Sequence, residues 1–160
     1  MRTRRSVLGL VVAVVAALTL VTTFAGAALA QAGHFVGTPT CTDIGTQVQC
    51  TGKVAGLGET TFTINVSAPG TAIVECTNPG GNVAPGQTFT TTVTGTTGPV
   101  PTPRNGQYQF DVTTTAPTAP PGSCPNPMWT ATVTDVQFTT ATITLLEDST
   151  VSDTITVPVT

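Results

Sequence analysis

The chain has 160 residues, 8% of them charged, with four cysteines, one histidine and a formal net charge of −3. Arg2, Arg4 and Arg5 account for three of its five basic residues, so beyond residue 30 only Lys53 and Arg104 stand against eight carboxylates, a net charge near −6. Such a surface repels phosphate backbones and anionic lipid headgroups, which argues against nucleic acid or a membrane as partner.

The N-terminal segment, MRTRRSVLGLVVAVVAALTLVTTFAGAALA, has a basic start, an uncharged run from Val7 to about Phe24 and a small-residue end. That order predicts a signal peptide over residues 1–30, cleaved after Ala30, with Ala30-Gln31-Ala32 as a second cleavage frame. The run also approaches the roughly 20 apolar residues of an uncleaved anchor. Its TRRSVL resembles a twin-arginine export signal, although an ordinary basic start serves as well. Each route leads out of the cytoplasm, and the expected location is extracellular, with no membrane contact once the signal is removed. The remaining 130 or so residues, 31–160, suffice for one domain and not for two.

From Gln31 onward there are 33 threonines and only four serines. A mucin-like stalk would use either hydroxyl, whereas a pleated, half-exposed surface favours the β-branched one. Strand-like alternation supports this reading along the chain. In CTDIGTQVQC, a two-residue turn at Gly45-Thr46 pairs Ile44 with Gln47, Asp43 with Val48, Thr42 with Gln49 and Cys41 with Cys50. TTFTINVSA places Phe62, Ile64 and Val66 on one face. FTTTVT aligns Phe89 with Val93, GQYQFDVT aligns Tyr108, Phe110 and Val112, and DTITVPV aligns Ile155, Val157 and Val159.

Between WTATVTDVQF and TATITLLE the apolar phase shifts from Val136 and Phe138 to Ala141, Ile143 and Leu145, which requires a bulge or turn near Thr139-Thr140. Pro69-Gly70, Pro79-Gly80-Gly81, Pro85-Gly86 and Asn105-Gly106 read as turns. Two proline-rich stretches, GPVPTPRNG and TAPTAPPGSCPNP, read as loops between strands. The pattern predicts an all-β, immunoglobulin-like antiparallel sandwich of eight or nine strands with two disulfides, and a closed barrel as the alternative.

Four cysteines in an exported chain without a Cys-x-x-Cys pair indicate two disulfides rather than zinc. The hairpin register sets Cys41 opposite Cys50 at a non-hydrogen-bonded site, where side chains approach closely. Cys76 and Cys124 then pair by elimination.

Chemistry-bearing residues are sparse. His34, the sole histidine, lies close to the expected mature N-terminus, a poor place for a catalytic base. Glu59, Glu75, Asp111 and Asp135 are scattered over different strands with no spacing that singles out a pair. Glu147, Asp148 and Asp153 gather in LEDSTVSD without a calcium-loop spacing and read as an acidic turn. No cofactor is implied, and no enzymatic activity is expected. Trp129, Tyr108 and Phe138 are the aromatics available to face a ligand, although Trp129, shortly after Cys124, also fits a buried tryptophan packed on a disulfide.

The segments CTNPGGNVAPGQ and CPNPMWTATVTDVQFTTATITL resemble those of a group of small exported bacterial proteins without assigned activity. A second likeness is to the apoproteins of enediyne antibiotics, acidic Thr-, Ala- and Gly-rich sandwiches with one disulfide across a short hairpin. Their other disulfide also closes a short loop, unlike Cys76 with Cys124. The expectation is an exported, non-catalytic structural or binding module at the cell surface, with a surface polymer or a small ligand as partner. The alternative is a dedicated small-ligand or carbohydrate carrier.

Overall fold

The computed structural model describes residues 32–160, and the segment read as an export signal lies outside them. The described residues form eleven strands and no helix: β1 (His34–Phe35), β2 (Thr40–Asp43), β3 (Val48–Ala55), β4 (Thr61–Thr77), β5 (Val83–Pro85), β6 (Phe89–Thr96), β7 (Val100–Pro101), β8 (Tyr108–Thr113), β9 (Thr130–Phe138), β10 (Thr140–Glu147) and β11 (Thr150–Pro158). Several are pieces of one extended run along a shared neighbour: β1 and β2 against β3, β5 to β7 against β4, and β9 and β10 against the other edge of β4. The runs build two antiparallel sheets. In the smaller, β3 lies between β1/β2 and β8; the larger has the order β11, β10/β9, β4, β5/β6/β7. This is the expected immunoglobulin-like antiparallel sandwich, with eleven strands rather than eight or nine because the runs are broken into short pieces. Its two sheets meet at one edge, where Cys41 forms a parallel bridge with Val159 and Thr160 N donates to Cys41 O at 3.1 Å.

Period-two alternation decides which residues meet inside. Phe62, Ile64, Val66 and Ala68 of β4 and Ala141, Ile143 and Leu145 of β10 share a buried cluster with Val48, Cys50, Val54, Phe110 and Val112 of the smaller sheet. Full burial of each large apolar side chain contributes about 1.5–3 kcal/mol. The alternate positions carry hydroxyls, and Thr142 and Thr156 are joined across the β10–β11 pair, Oγ1 to Oγ1, at 3.0 Å.

Pro69-Gly70, read as a turn, lies within β4, which runs unbroken for 17 residues. The ladder shows why. Ser67 pairs with Thr142 and Gly70 with Phe138, so four steps on β9/β10 oppose three on β4. The extra residue is the bulge required near Thr139, and it leaves Pro69, which has no N–H, without a ladder partner on that side. Gly70 serves close approach rather than turning: a Cβ there would stand 2.7 Å from Val136 Cγ1 and 2.9 Å from Phe138 Cδ1. A second register shift falls between Ile73/Val74, where β9 passes from Val133 to Asp135. It accounts for inward Ala131 and Val133 preceding inward Val136 and Phe138.

Gly70→Ala is expected to cost about 1–3 kcal/mol through overpacking. Gly80→Ala, with nothing closer than 3.4 Å to the added carbon, should stay within about 0.5 kcal/mol. Urea midpoints of the two variants check the contrast. Equal losses would show that Gly70 is not a packing position.

Candidate functional site

The even-numbered face of β4 stays buried beyond the smaller sheet. Ala72, Val74 and Cys76 are as inaccessible as Phe62 and Ile64, yet they lie outside the main core cluster. What reaches this second half is the segment 114–129, hereafter the strap, at Cys76, then Gly86 between β5 and β6, which lies against Val74, and the tip of the β2–β3 hairpin, whose Gly45 O accepts from Val136 N at 3.0 Å. The hairpin has the expected register, with Cys41 opposite Cys50, and Gly45 turns at φ 92°.

The strap is pinned at both ends. At its start, buried Thr114 ties to the smaller sheet: its N–H donates to Val48 O at 3.0 Å, and its Oγ1 accepts from Val48 N at 2.9 Å. One residue on, Thr115 N and Oγ1 both donate to Thr94 O, at 2.9 Å each, on the larger sheet. At the far end the Cys76–Cys124 disulfide fixes it to β4, and Gln87 N donates to Ser123 O at 2.9 Å. Gly86 lies under this bond, where a Cβ would come within 2.8 Å of Cys76 Sγ. Both disulfides join the cysteines paired on the sequence, Cys41 with Cys50 and Cys76 with Cys124, and no described cysteine is free.

Between strap and sheet lies a cleft of about 460 Å³, within the range of small-molecule sites. Pro120, Pro121 and Pro127 form its walls together with Trp129 and the strap's own backbone, and no charged side chain lines it. Local bonds hold the shape: Ser123 Oγ donates to Pro120 O at 2.8 Å, Met128 N to Asn126 Oδ1 at 2.9 Å, and Trp129 N to Asn126 O at 3.0 Å. Trp129 is half-buried in this wall beside Cys124. It is not the buried core tryptophan of immunoglobulin domains, because the disulfide lies under the strap and outside the main core. At the same end of the sheet Met128 is 72% exposed and Val83 58% exposed.

The three aromatics named from the sequence do not share a face. Tyr108 packs on Phe62, ring centroids 4.9 Å apart, and Phe138 packs against the main core. Trp129 precedes the other end of β9, roughly 30 Å from Phe138 at the rise of an extended strand.

Ionisable groups act mainly as acceptors for the backbone. His34, expected on a loose terminus, is held in β1 opposite Ala55. Asp43 accepts from Gly45 N, Asp153 from Phe35 N, and Asp111 from Gln49 Nε2. Glu147, which the sequence grouped with Asp148 and Asp153 in one acidic turn, ends β10 only 6% exposed. Asp148 and Ser149 make the tight turn to β11 at φ 42° and 71°. Burial works against the Glu147 charge, but hydrogen bonds from Ser152 Oγ and from the Gly58, Gly33 and Glu59 amides outweigh it and hold the carboxyl below its ordinary value. No signal in the sequence separated Glu147 from its neighbours, since apart from nearby Ser152 its donors come from two distant segments, at Gly33 and at Gly58. Among the described residues no three His, Cys, Asp or Glu side chains group as metal ligands.

No protein-family model, curated protein or solved structure matches the chain.

A carboxyl depressed on folding contributes stability that is present above its unfolded value, near 4.3, and lost as pH falls through the lower folded value. Acid denaturation curves should therefore flatten below about pH 4.5 in Glu147→Gln relative to the native chain. Parallel curves would show that Glu147 is not a principal acid-sensitive group.

Proposed function

We propose that the protein is an exported, non-catalytic binding module of the cell surface, and that the strap cleft is its ligand site. The observation that carries this reading is the uncharged cleft itself: a half-exposed tryptophan and three prolines, held by a disulfide and turn bonds, with no acid, base or metal ligand in its lining. An indole face and proline rings fit a neutral ligand with a flat apolar side, such as a hexose ring of a surface polysaccharide. The strongly acidic balance beyond residue 30 disfavours anionic ligands. Two disulfides suit an oxidising, non-cytoplasmic compartment, in keeping with the export signal read at the N-terminus. The likeness to small exported bacterial proteins belongs to the same proposal. A second reading, carriage of a small aromatic molecule as in the enediyne apoproteins, is favoured by exposed Met128 and Val83 at the same end of the sheet as the cleft.

Trp129 is the only tryptophan, so its fluorescence reports on the cleft directly. Titration with neutral oligosaccharides, and in parallel with a small polycyclic aromatic, should give a saturable change that Trp129→Ala removes from a thermal-shift assay. Saturation by the aromatic alone selects carriage over polysaccharide binding. A thermal shift that persists in Trp129→Ala places the ligand elsewhere and sinks the cleft as the site.

A further inference from the structure

Gly33 is buried although Ala32, before it, is exposed. Its N–H donates to Glu147 Oε2 at 2.7 Å, and a Cβ at this position would stand 2.9 Å from Glu147 Oε2 and from Leu57 Cδ2, so a side chain here would have to displace both. The carboxylate also accepts from Gly58 N at 2.9 Å and from Ser152 Oγ at 2.6 Å. All of these donors are neutral. A carboxylate this deeply buried is normally balanced by a cation, and among the described residues Glu147 has none as a hydrogen-bond partner.

One atom would become that cation without moving. Of the two small-x-small cleavage frames, Ala28-Leu29-Ala30 would leave Gln31-Ala32 in place and a neutral amide at Gly33; Ala30-Gln31-Ala32 ends at the bond that joins Ala32 to Gly33. We propose that the export signal is removed between Ala32 and Gly33, and that the new α-ammonium of Gly33 closes a buried ion pair on Glu147. A signal-removing peptidase with the usual small-x-small preference would use one water to break the Ala32–Gly33 peptide bond. The new carboxylate leaves with the signal, and the new amine takes a proton at neutral pH. The bond converted is a charge-assisted one of already short length, roughly twice as strong as a neutral one. A cleft of about 480 Å³ beside Glu147, lined in part by Ala32, gives the remaining ammonium hydrogens access to water. The other titratable groups around the pair are Glu59 and Asp148 on the cleft wall, Asp153 on β11 and His34 on β1. The three carboxylates favour the ammonium.

The processing claim is tested by N-terminal sequencing of the protein recovered from exporting cells. Gly33 is expected first; Gln31, its cyclised form or an uncleaved signal would overturn the cleavage position. The pairing claim is tested with disulfide-intact protein starting at Gly33, at Gln31, and at Nα-acetylated Gly33, each melted at pH 7 and pH 10. An amine raised above its unfolded value, near 8, contributes fully below that value and loses its contribution as pH rises through the folded one. The Gly33 form should therefore melt at least about 3 °C above the other two at pH 7 and converge with them at pH 10. Equal melting at pH 7 overturns the pair. Glu147→Gln should remove the gap; if that variant does not fold, the acetylated form, which keeps every side chain, decides.

Discussion

One mismatch of length governs this molecule: β4 runs for 17 residues, whereas the longest strand opposing it in the smaller sheet has eight. At about 3.4 Å per residue, roughly half of β4 extends past the facing sheet. Its inward residues do not turn polar there, because Ala72, Val74 and Cys76 continue the apolar alternation of Phe62, Ile64 and Val66. Left bare, that stretch and Val136 beside it would form an exposed apolar patch on a small domain. The strap at Cys76, Gly86 against Val74 and the hairpin tip at Val136 together resolve this. The strap is an irregular segment without strand pairing, held by crossing bonds at Thr114 and Thr115 and by the disulfide from Cys124 to Cys76.

The same logic explains why the two disulfides differ in kind. Cys41–Cys50 joins facing residues of a hairpin that the β2–β3 ladder already holds, across nine positions. Cys76–Cys124 spans 48 positions and fixes a segment with no strand pairing of its own. On the chain-entropy account these closures contribute about 3 and about 4 kcal/mol respectively. The larger figure falls where the fold has the fewest alternatives. The proposed site on the strap is therefore anchored by a covalent bond, although it lies on a loop.

Most of the sandwich was legible because period-two alternation is a local signal. The hairpin register from Cys41 to Cys50, the inward Phe62, Ile64 and Val66 of β4 and the bulge near Thr139 all follow from counting residues. The errors came where a residue's usual role was overridden by its neighbours. Pro69-Gly70 has the composition of a turn, yet a bulge on the adjacent strand accommodates the proline and Phe138 fills the space over the glycine. Trp129 has the sequence position of a core tryptophan, but the core it would join lies elsewhere. Glu147 was unreadable for another reason: besides local Ser152, its donors at Gly33 and Gly58 reach it only in three dimensions. The second phase change, from Ala131 and Val133 to Val136 and Phe138, was present in the residues all along.

Hydrogen exchange on Cys76→Ser/Cys124→Ser, compared with the native protein, bears most directly on whether the strap closes the overhang of β4. Protection should fall in 72–76 and 131–136 while 48–54, 62–68 and 108–112 keep theirs, because local opening follows local contact. Uniform loss across both halves, or unchanged protection at Val74 and Val136, would show that the strap is not what completes the core.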